Sequence, residues 1–106
     1  MVNTQTRTIC ELYRTNRQTQ YGPGVGAATF SPVANSVLFI QGVRNSNENN
    51  PYGFTRRTGV AIDISKPFQP IFMDARNITP PFIAGALRGG THAHNWSADE
   101  KWISFT

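Results

Sequence analysis

The chain has 106 residues, of which 39% are hydrophobic and only 15% are charged. This composition excludes a disordered polyelectrolyte and a coiled coil, and the length leaves room for one small domain. The formal net charge is +4, but the basic residues are scattered along the chain, which does not favour nucleic acid as a partner. No run approaches the roughly 20 apolar residues of a membrane helix, so we expect no membrane partner.

The pattern of apolar residues predicts an all-β chain. Glycine or proline interrupts every stretch with helical spacing, whereas short β-like runs recur. The predicted strands are residues 7–14, 27–30, 36–41, 59–64, 70–74, 91–96 and 101–105. Residues 43–51 are rich in asparagine and predict a polar loop, and residues 77–90 predict a long connection.

One internal repeat organises this pattern. Residues 30–39 align without a gap on residues 96–105. Each copy begins with an aromatic residue followed by serine. Each copy ends with a β-branched residue, any residue and phenylalanine. Such a repeat of a short unit is typical of arrays and propellers. Val37 and Phe39 would share one face of a strand, and Leu38 the other, so we expect both faces to be buried.

The repeat resembles that of TolB-like β-propellers, a WD40-like fold whose PD40 repeat reads S-P-D-G-K-x-I-x-F. Residues 96–105 match it closely, whereas the first copy, which begins at Ser31-Pro32, lacks the Asp-Gly turn. The similarity to an uncharacterised bacterial member of this family runs from Glu11 to the end of the chain. Its most specific parts are Met73-Asp74, Ile78-Thr79-x-Pro81 and residues 87–94.

The resemblance implies an all-β fold, a partial β-propeller of about one and a half four-stranded antiparallel blades. The chain would then be a single fragment of a longer bacterial protein of the cytoplasm or periplasm. Residues 7–14 would be the last strand of a preceding blade, residues 27–74 one full blade, and residues 91–106 the two inner strands of the next. Its first partners would be the remaining blades of the parent chain.

The pair His92 and His94 is the sharpest candidate for chemistry. On a strand, residues two apart point to one face, so both imidazoles would converge on the channel that inner strands line. They could hold a divalent metal, manganese or zinc, with further ligands from elsewhere. The alternative is that both are polar channel residues without a metal. The equivalent positions of the first repeat copy are Gly26 and Ala28, so the fold itself does not require histidine there.

Propeller-fold oligogalacturonate lyases are a second resemblance, carried only by His92-Ala93-His94 and the fold. In that family a His-x-His pair on an inner strand holds a divalent metal, usually manganese, together with a glutamine three positions before the first histidine. This chain has Gly89 at that position, which departs from the family pattern.

Three arginines are candidate ligand-binding residues. Arg88 immediately precedes Gly89-Gly90, where backbone can approach a ligand closely, and Arg56 and Arg57 are adjacent in sequence. A guanidinium group suits a carboxylate or phosphate, because its planar fork donates two parallel hydrogen bonds. The alternative is that all three are solvated loop residues.

These observations leave more than one function open. The first hypothesis is a propeller segment that binds a ligand or partner at the channel mouth, with an anionic carbohydrate or a protein as the partner. The alternative is a metal-dependent carbohydrate-active enzyme similar to the oligogalacturonate lyases, in which a base outside this chain would act on a uronic acid. A protein-interaction scaffold is a third. No catalytic residue is assigned.

Overall fold

The computed structural model describes residues 1–77 and 80–106 and is all-β, with antiparallel sheets and no helix among these residues. No helix long and apolar enough to cross a membrane occurs in this part of the chain. The strands are β1 (Val25–Phe30), β2 (Ser36–Gly42), β3 (Arg57–Asp63), β4 (Ile71–Met73), β5 (Asn95–Trp96) and β6 (Ile103–Ser104). The predicted all-β class is confirmed.

The first four strands form one antiparallel meander in the order β1-β2-β3-β4, and β5 and β6 form a separate hairpin. The two central strands pair along their whole length, from Ser36 opposite Asp63 to Gly42 opposite Arg57. Both are rich in β-branched and aromatic side chains, which favour a pleated and buried surface. The structure extends β3 two residues earlier than predicted and ends it at Asp63.

Both faces of the central strands are buried, as predicted. The first face carries the core cluster Val37, Phe39, Val60 and Ile62, against which Leu12, Tyr13, Ile64 and Phe72 pack. The second face carries Leu38, Ile40 and Ala61, which are also buried. Residues 91–106 pack against this second face, since the imidazole of His94 lies against Gly59 and the Thr91 amide donates to the Arg57 carbonyl at 2.8 Å.

The two aligned segments of the sequence form hairpins with one register. The pairs Thr29–Leu38 and Phe30–Val37 of the first hairpin correspond to Asn95–Ser104 and Trp96–Ile103 of the second. The correspondence extends to the turns, where the amide of Ser31 donates to Ser36 and the amide of Ser97 to Trp102, each at 2.9 Å. It also extends to Ala27 and Ala93, which both have a φ of 52°.

The predicted strand at residues 7–14 is wrong. The structure has only an isolated bridge between Val2 and Ile9, and residues 1–11 are exposed. No neighbouring strand among the described residues pairs with this segment, and the amides of Arg7 and Cys10 donate instead to the carbonyls of Asn3 and Met1. Leu12 and Tyr13 alone carry the expected apolar contact with the core.

The last three predicted strands are shorter than expected. Residues 91–94 lie outside any strand, because the left-handed backbone of Ala93 interrupts an extended conformation. The strand expected at 101–105 is reduced to β6, and that at 70–74 to β4. Ile78 and Thr79, part of the family resemblance, lie outside the described residues.

Candidate anion-binding site

Most of the candidate residues lie at one end of the four-stranded sheet. Because successive strands of a meander alternate in direction, the loop joining β2 to β3 and the segment following β4 leave the sheet at the same end. Arg56 ends that loop and Arg57 begins β3, whereas Arg88 and His92 belong to the segment that follows β4. Backbone hydrogen bonds join the two stretches, since the amide of Gly90 donates to Thr55 and that of Thr91 to Arg57.

Arg56 and Arg88, which are far apart in sequence, line one cavity of about 240 Å³. The Arg88 guanidinium lies above an aromatic face, 4.4 Å from the ring centre of Phe82. An Nη of Arg56 donates to the side-chain oxygen of Asn45 at 3.0 Å. Both guanidinium groups are therefore held in place by neighbours that leave their positive charge uncompensated.

Arg57 occupies a neighbouring aromatic surface. Its guanidinium lies 5.0 Å from the ring centre of Tyr52 and 5.2 Å from that of Phe54. The ring of Phe54 in turn contacts that of His92, with 4.9 Å between the ring centres. The structure thus brings Arg57 and His92 to the same phenylalanine ring.

No described carboxylate forms an ion pair with Arg56, Arg57, Arg76 or Arg88, whereas Arg14 and Arg44 pair with Glu11 and Asp74. The Nε atoms of Arg56, Arg57 and Arg76 are buried without a hydrogen-bond partner. A half-buried cation whose Nε atom lacks a partner is costly, and no described anion offsets it, so this end of the sheet is electrostatically suited to a negative group.

Sequence reasoning missed Arg76. One of its Nη atoms donates to the carbonyl of Gly90 at 3.4 Å, and its guanidinium lies 6.0 Å from the ring centre of Phe105. Its position just after β4 places it at the same end of the sheet as Arg56. The available signal was its place at a strand end, which becomes informative only when the strand order is known.

His94 lies apart from the arginines, against the second face of the sheet. It is only 7% exposed, and its Nε2 atom is 2.8 Å from the Thr91 hydroxyl oxygen. Burial lowers the pKa of His94 below the ordinary value, and the nearby charge of His92 lowers it further. The Nδ1 atom is buried without a hydrogen-bond partner.

The two histidines do not share a strand face as predicted. Ala93 between them has a φ of 52°, so the alternation of side chains along a strand does not apply there. The backbone of His92 bonds to Thr106 in both directions and its ring contacts Phe54, whereas the ring of His94 lies on Gly59. Among the described residues no group of three His, Cys, Asp or Glu is placed to hold a metal, and a metal held with ligands from elsewhere stays a prediction.

Comparison with known proteins gives two matches. The family described as "Protein of unknown function (DUF3748)" matches residues 24–106. The chain is also 35% identical to "Uncharacterized protein YidR" of Escherichia coli (strain K12) over 105 residues, which are 99% of this chain and 24% of that protein. The chain therefore spans about a quarter of the length of this relative. No solved structure matches.

The match to the family covers the four-stranded sheet, the arginine-lined cavity and the second hairpin, and thus every element from β1 to the end of the chain. The chain belongs to the DUF3748 family of proteins.

Proposed function

We propose that the chain is a segment of a TolB-like β-propeller that binds an anionic ligand at the channel mouth. The segment comprises one four-stranded blade and the inner hairpin of the next. One observation carries the binding proposal: Arg56 and Arg88 line the same cavity, and no described carboxylate pairs with either. The ligand carries a carboxylate or phosphate, as an anionic carbohydrate or an acidic protein segment does.

The equal register of the two hairpins supports the propeller part of the proposal. In a propeller each blade repeats the hairpin of the previous one and packs on its face. The second hairpin lies beside the first sheet, and His94, Ile103 and Phe105 line one cavity together with Met73 of β4.

A second groove is lined by the corresponding residues of the first hairpin and supports the same arrangement. The inner-strand residues that correspond to His94, Ile103 and Phe105 are Ala28, Val37 and Phe39. These line a groove together with Leu12 and Tyr13, as the first set does with Met73, Asp74 and Ala75. Residues 11–13 would therefore stand where the outer strand of a preceding blade lies, although they form no strand here.

The surroundings of the arginines suit recognition of an anion. A carboxylate or phosphate bound between Arg56 and Arg88 would offset the cost of removing the guanidinium groups from water. Phe82 holds the Arg88 group by its ring face, and Asn45 holds that of Arg56, so little side-chain freedom is lost on binding. Arg57 would add charge from the adjacent surface.

Replacing Arg88 with lysine tests this role. The substitution keeps the charge but removes the planar fork, so we expect affinity for glucuronate or inorganic phosphate, measured by calorimetry, to fall about tenfold. The matched control is Arg7→Lys, because Arg7 is exposed and has no described carboxylate partner. Equal affinity in the wild type and Arg88→Lys would contradict the proposal.

The metal-dependent carbohydrate-active enzyme stays a second prediction. It draws support from the buried Nδ1 atom of His94, which has no partner and is the kind of nitrogen that binds a metal. It requires further ligands, which the described residues do not supply. Stoichiometric manganese or zinc in the longer protein, lost in a His92→Ala/His94→Ala variant, would support it, and metal content unchanged by that variant would contradict it.

A further inference from the structure

We propose a second binding site on the first face of the sheet, for a small monoanion that carries a flat apolar ring. A cavity of about 690 Å³ lies there between the segment preceding β1 and the strands β2 and β4. Its wall includes Arg17, Gln41 and Phe68. It shares no lining residue with the cavity of Arg56 and Arg88, so the two sites are independent.

The charge of the cavity selects a monoanion. Three arginines line it, and two are already neutralised: Arg14 by both carboxylate oxygens of Glu11, and Arg44 by both oxygens of Asp74. The third, Arg17, is exposed and forms no ion pair with any described carboxylate. The positive charge of Arg17 therefore lacks a partner at the cavity, and one ligand carboxylate would pair with it.

The floor of the cavity carries an unsatisfied polar group. Gln41 is only 2% exposed, and its side-chain oxygen is buried without a hydrogen-bond partner. Leaving such an acceptor unpaired costs stability. A carboxylate only accepts hydrogen bonds, so the part of Gln41 that can bind one at this cavity is its side-chain NH2 group, which donates two.

Aromatic rings form part of the lining of the same cavity. Phe68 has a φ of 64°, which is unusual for a bulky residue, and its amide donates to the Leu12 carbonyl at 2.8 Å. This backbone holds a ring that is 56% exposed at the cavity. Strained residues of this kind are found at ligand clamps. Tyr13 and Phe72 line the same cavity, so a flat ring finds apolar surface there.

Titration of the isotope-labelled chain with phenylacetate, followed by NMR, tests the site. We expect phenylacetate to shift the side-chain NH2 resonances of Gln41, whereas benzyl alcohol, which lacks the charge, and acetate, which lacks the ring, bind at least about tenfold more weakly. Equal binding of all three, or no shift with phenylacetate up to about 10 mM, a range typical of weak small ligands, would overturn the proposal.

Two substitutions separate a binding role from a structural one. Arg17→Gln should weaken phenylacetate binding about tenfold, while the same change at exposed Arg7 should leave it unaltered. Phe68→Gly removes the ring from the cavity and should therefore weaken binding. Because glycine adopts the left-handed backbone without strain, the same change should not lower the melting temperature. Unchanged binding in both Arg17→Gln and Phe68→Gly would overturn the proposal. Arg88→Gln should leave this titration as it is, which distinguishes the site from the one at Arg56 and Arg88.

Discussion

The imidazole of His94 lies directly on the backbone of Gly59, in the middle of β3. A Cβ atom at Gly59 would stand 2.7 Å from Cδ2 and 3.1 Å from Cγ of that ring. The absence of a side chain on the strand is therefore what lets the segment before the second hairpin pack on the sheet. Both the burial of His94 and the contact between the two hairpin units depend on this glycine.

Gly59→Ala should destabilise the protein by about 1–3 kcal/mol, because the added methyl group overpacks a site where ring and backbone already touch. The free energy of unfolding is measured by denaturant titration followed by circular dichroism. The matched control is Gly26→Ala, since a Cβ at Gly26 would meet nothing within 4 Å. Equal stability of the two variants would show that the His94 contact is not formed in solution.

Glu100→Gly should stabilise the second hairpin. Glu100 has a φ of 58°, a conformation that costs about 1 kcal/mol for a residue with a side chain and nothing for glycine. The opposing loss is the hydrogen bond that the Ser31 hydroxyl donates to the Glu100 carboxylate at 2.7 Å.

Making the same change in a Ser31→Ala background isolates the backbone effect, because the hydrogen bond is then already absent. We expect the full gain of about 1 kcal/mol in that background and a smaller gain in the wild type. Thermal unfolding of the four proteins measures both. A loss of stability in the Ser31→Ala background would contradict a left-handed Glu100.

The carboxyl group of Asp99 should titrate below its ordinary range. The hydroxyl of Ser97 donates to it at 2.7 Å, and this hydrogen bond, followed by that from the Lys101 amide, lowers the pKa of Asp99. Because the folded pKa lies below the unfolded one, the contribution to stability is present above the unfolded pKa and is lost as the pH falls through the folded pKa. Ser97→Ala should raise the pKa toward its ordinary value.

The measurement for Asp99 is an NMR titration of its side-chain carboxyl carbon. Asp63 provides the matched control, because its pKa is lowered in the same way by the hydroxyl and amide of Ser65. Ser97→Ala should shift Asp99 and leave Asp63 as it is, and Ser65→Ala should do the reverse. An Asp99 pKa insensitive to Ser97→Ala would rule out the turn described here.

The chain by itself should self-associate. Large apolar side chains stand exposed on it, among them Ile9 at 78%, Trp102 at 75% and Phe30 at 60%. Apolar surface and open strand edges of this kind promote association. Sedimentation velocity at several concentrations measures it. A monomer at all concentrations, melting cooperatively above about 50 °C as ordinary mesophilic domains do, would contradict this expectation.

The sequence by itself determined the fold class and the central strands. Local propensity and the run of apolar residues are strong in β2, and they predicted its start and the burial of both its faces. The gap-free alignment of residues 30–39 with residues 96–105 predicted the equal hairpins, because turn residues and β-branched positions act over short distances.

Only the tertiary structure decided which candidate residues meet. Arg56 and Arg88 line one cavity, and Arg76 lies beside Gly90. Both arrangements depend on strand order and on loops that local sequence patterns do not describe. The two-residue spacing of His92 and His94 predicted a shared face, but Ala93 adopts a left-handed backbone. That conformation carries a steric cost for alanine, and contacts distant in sequence, such as that of His94 with Gly59, hold it in place.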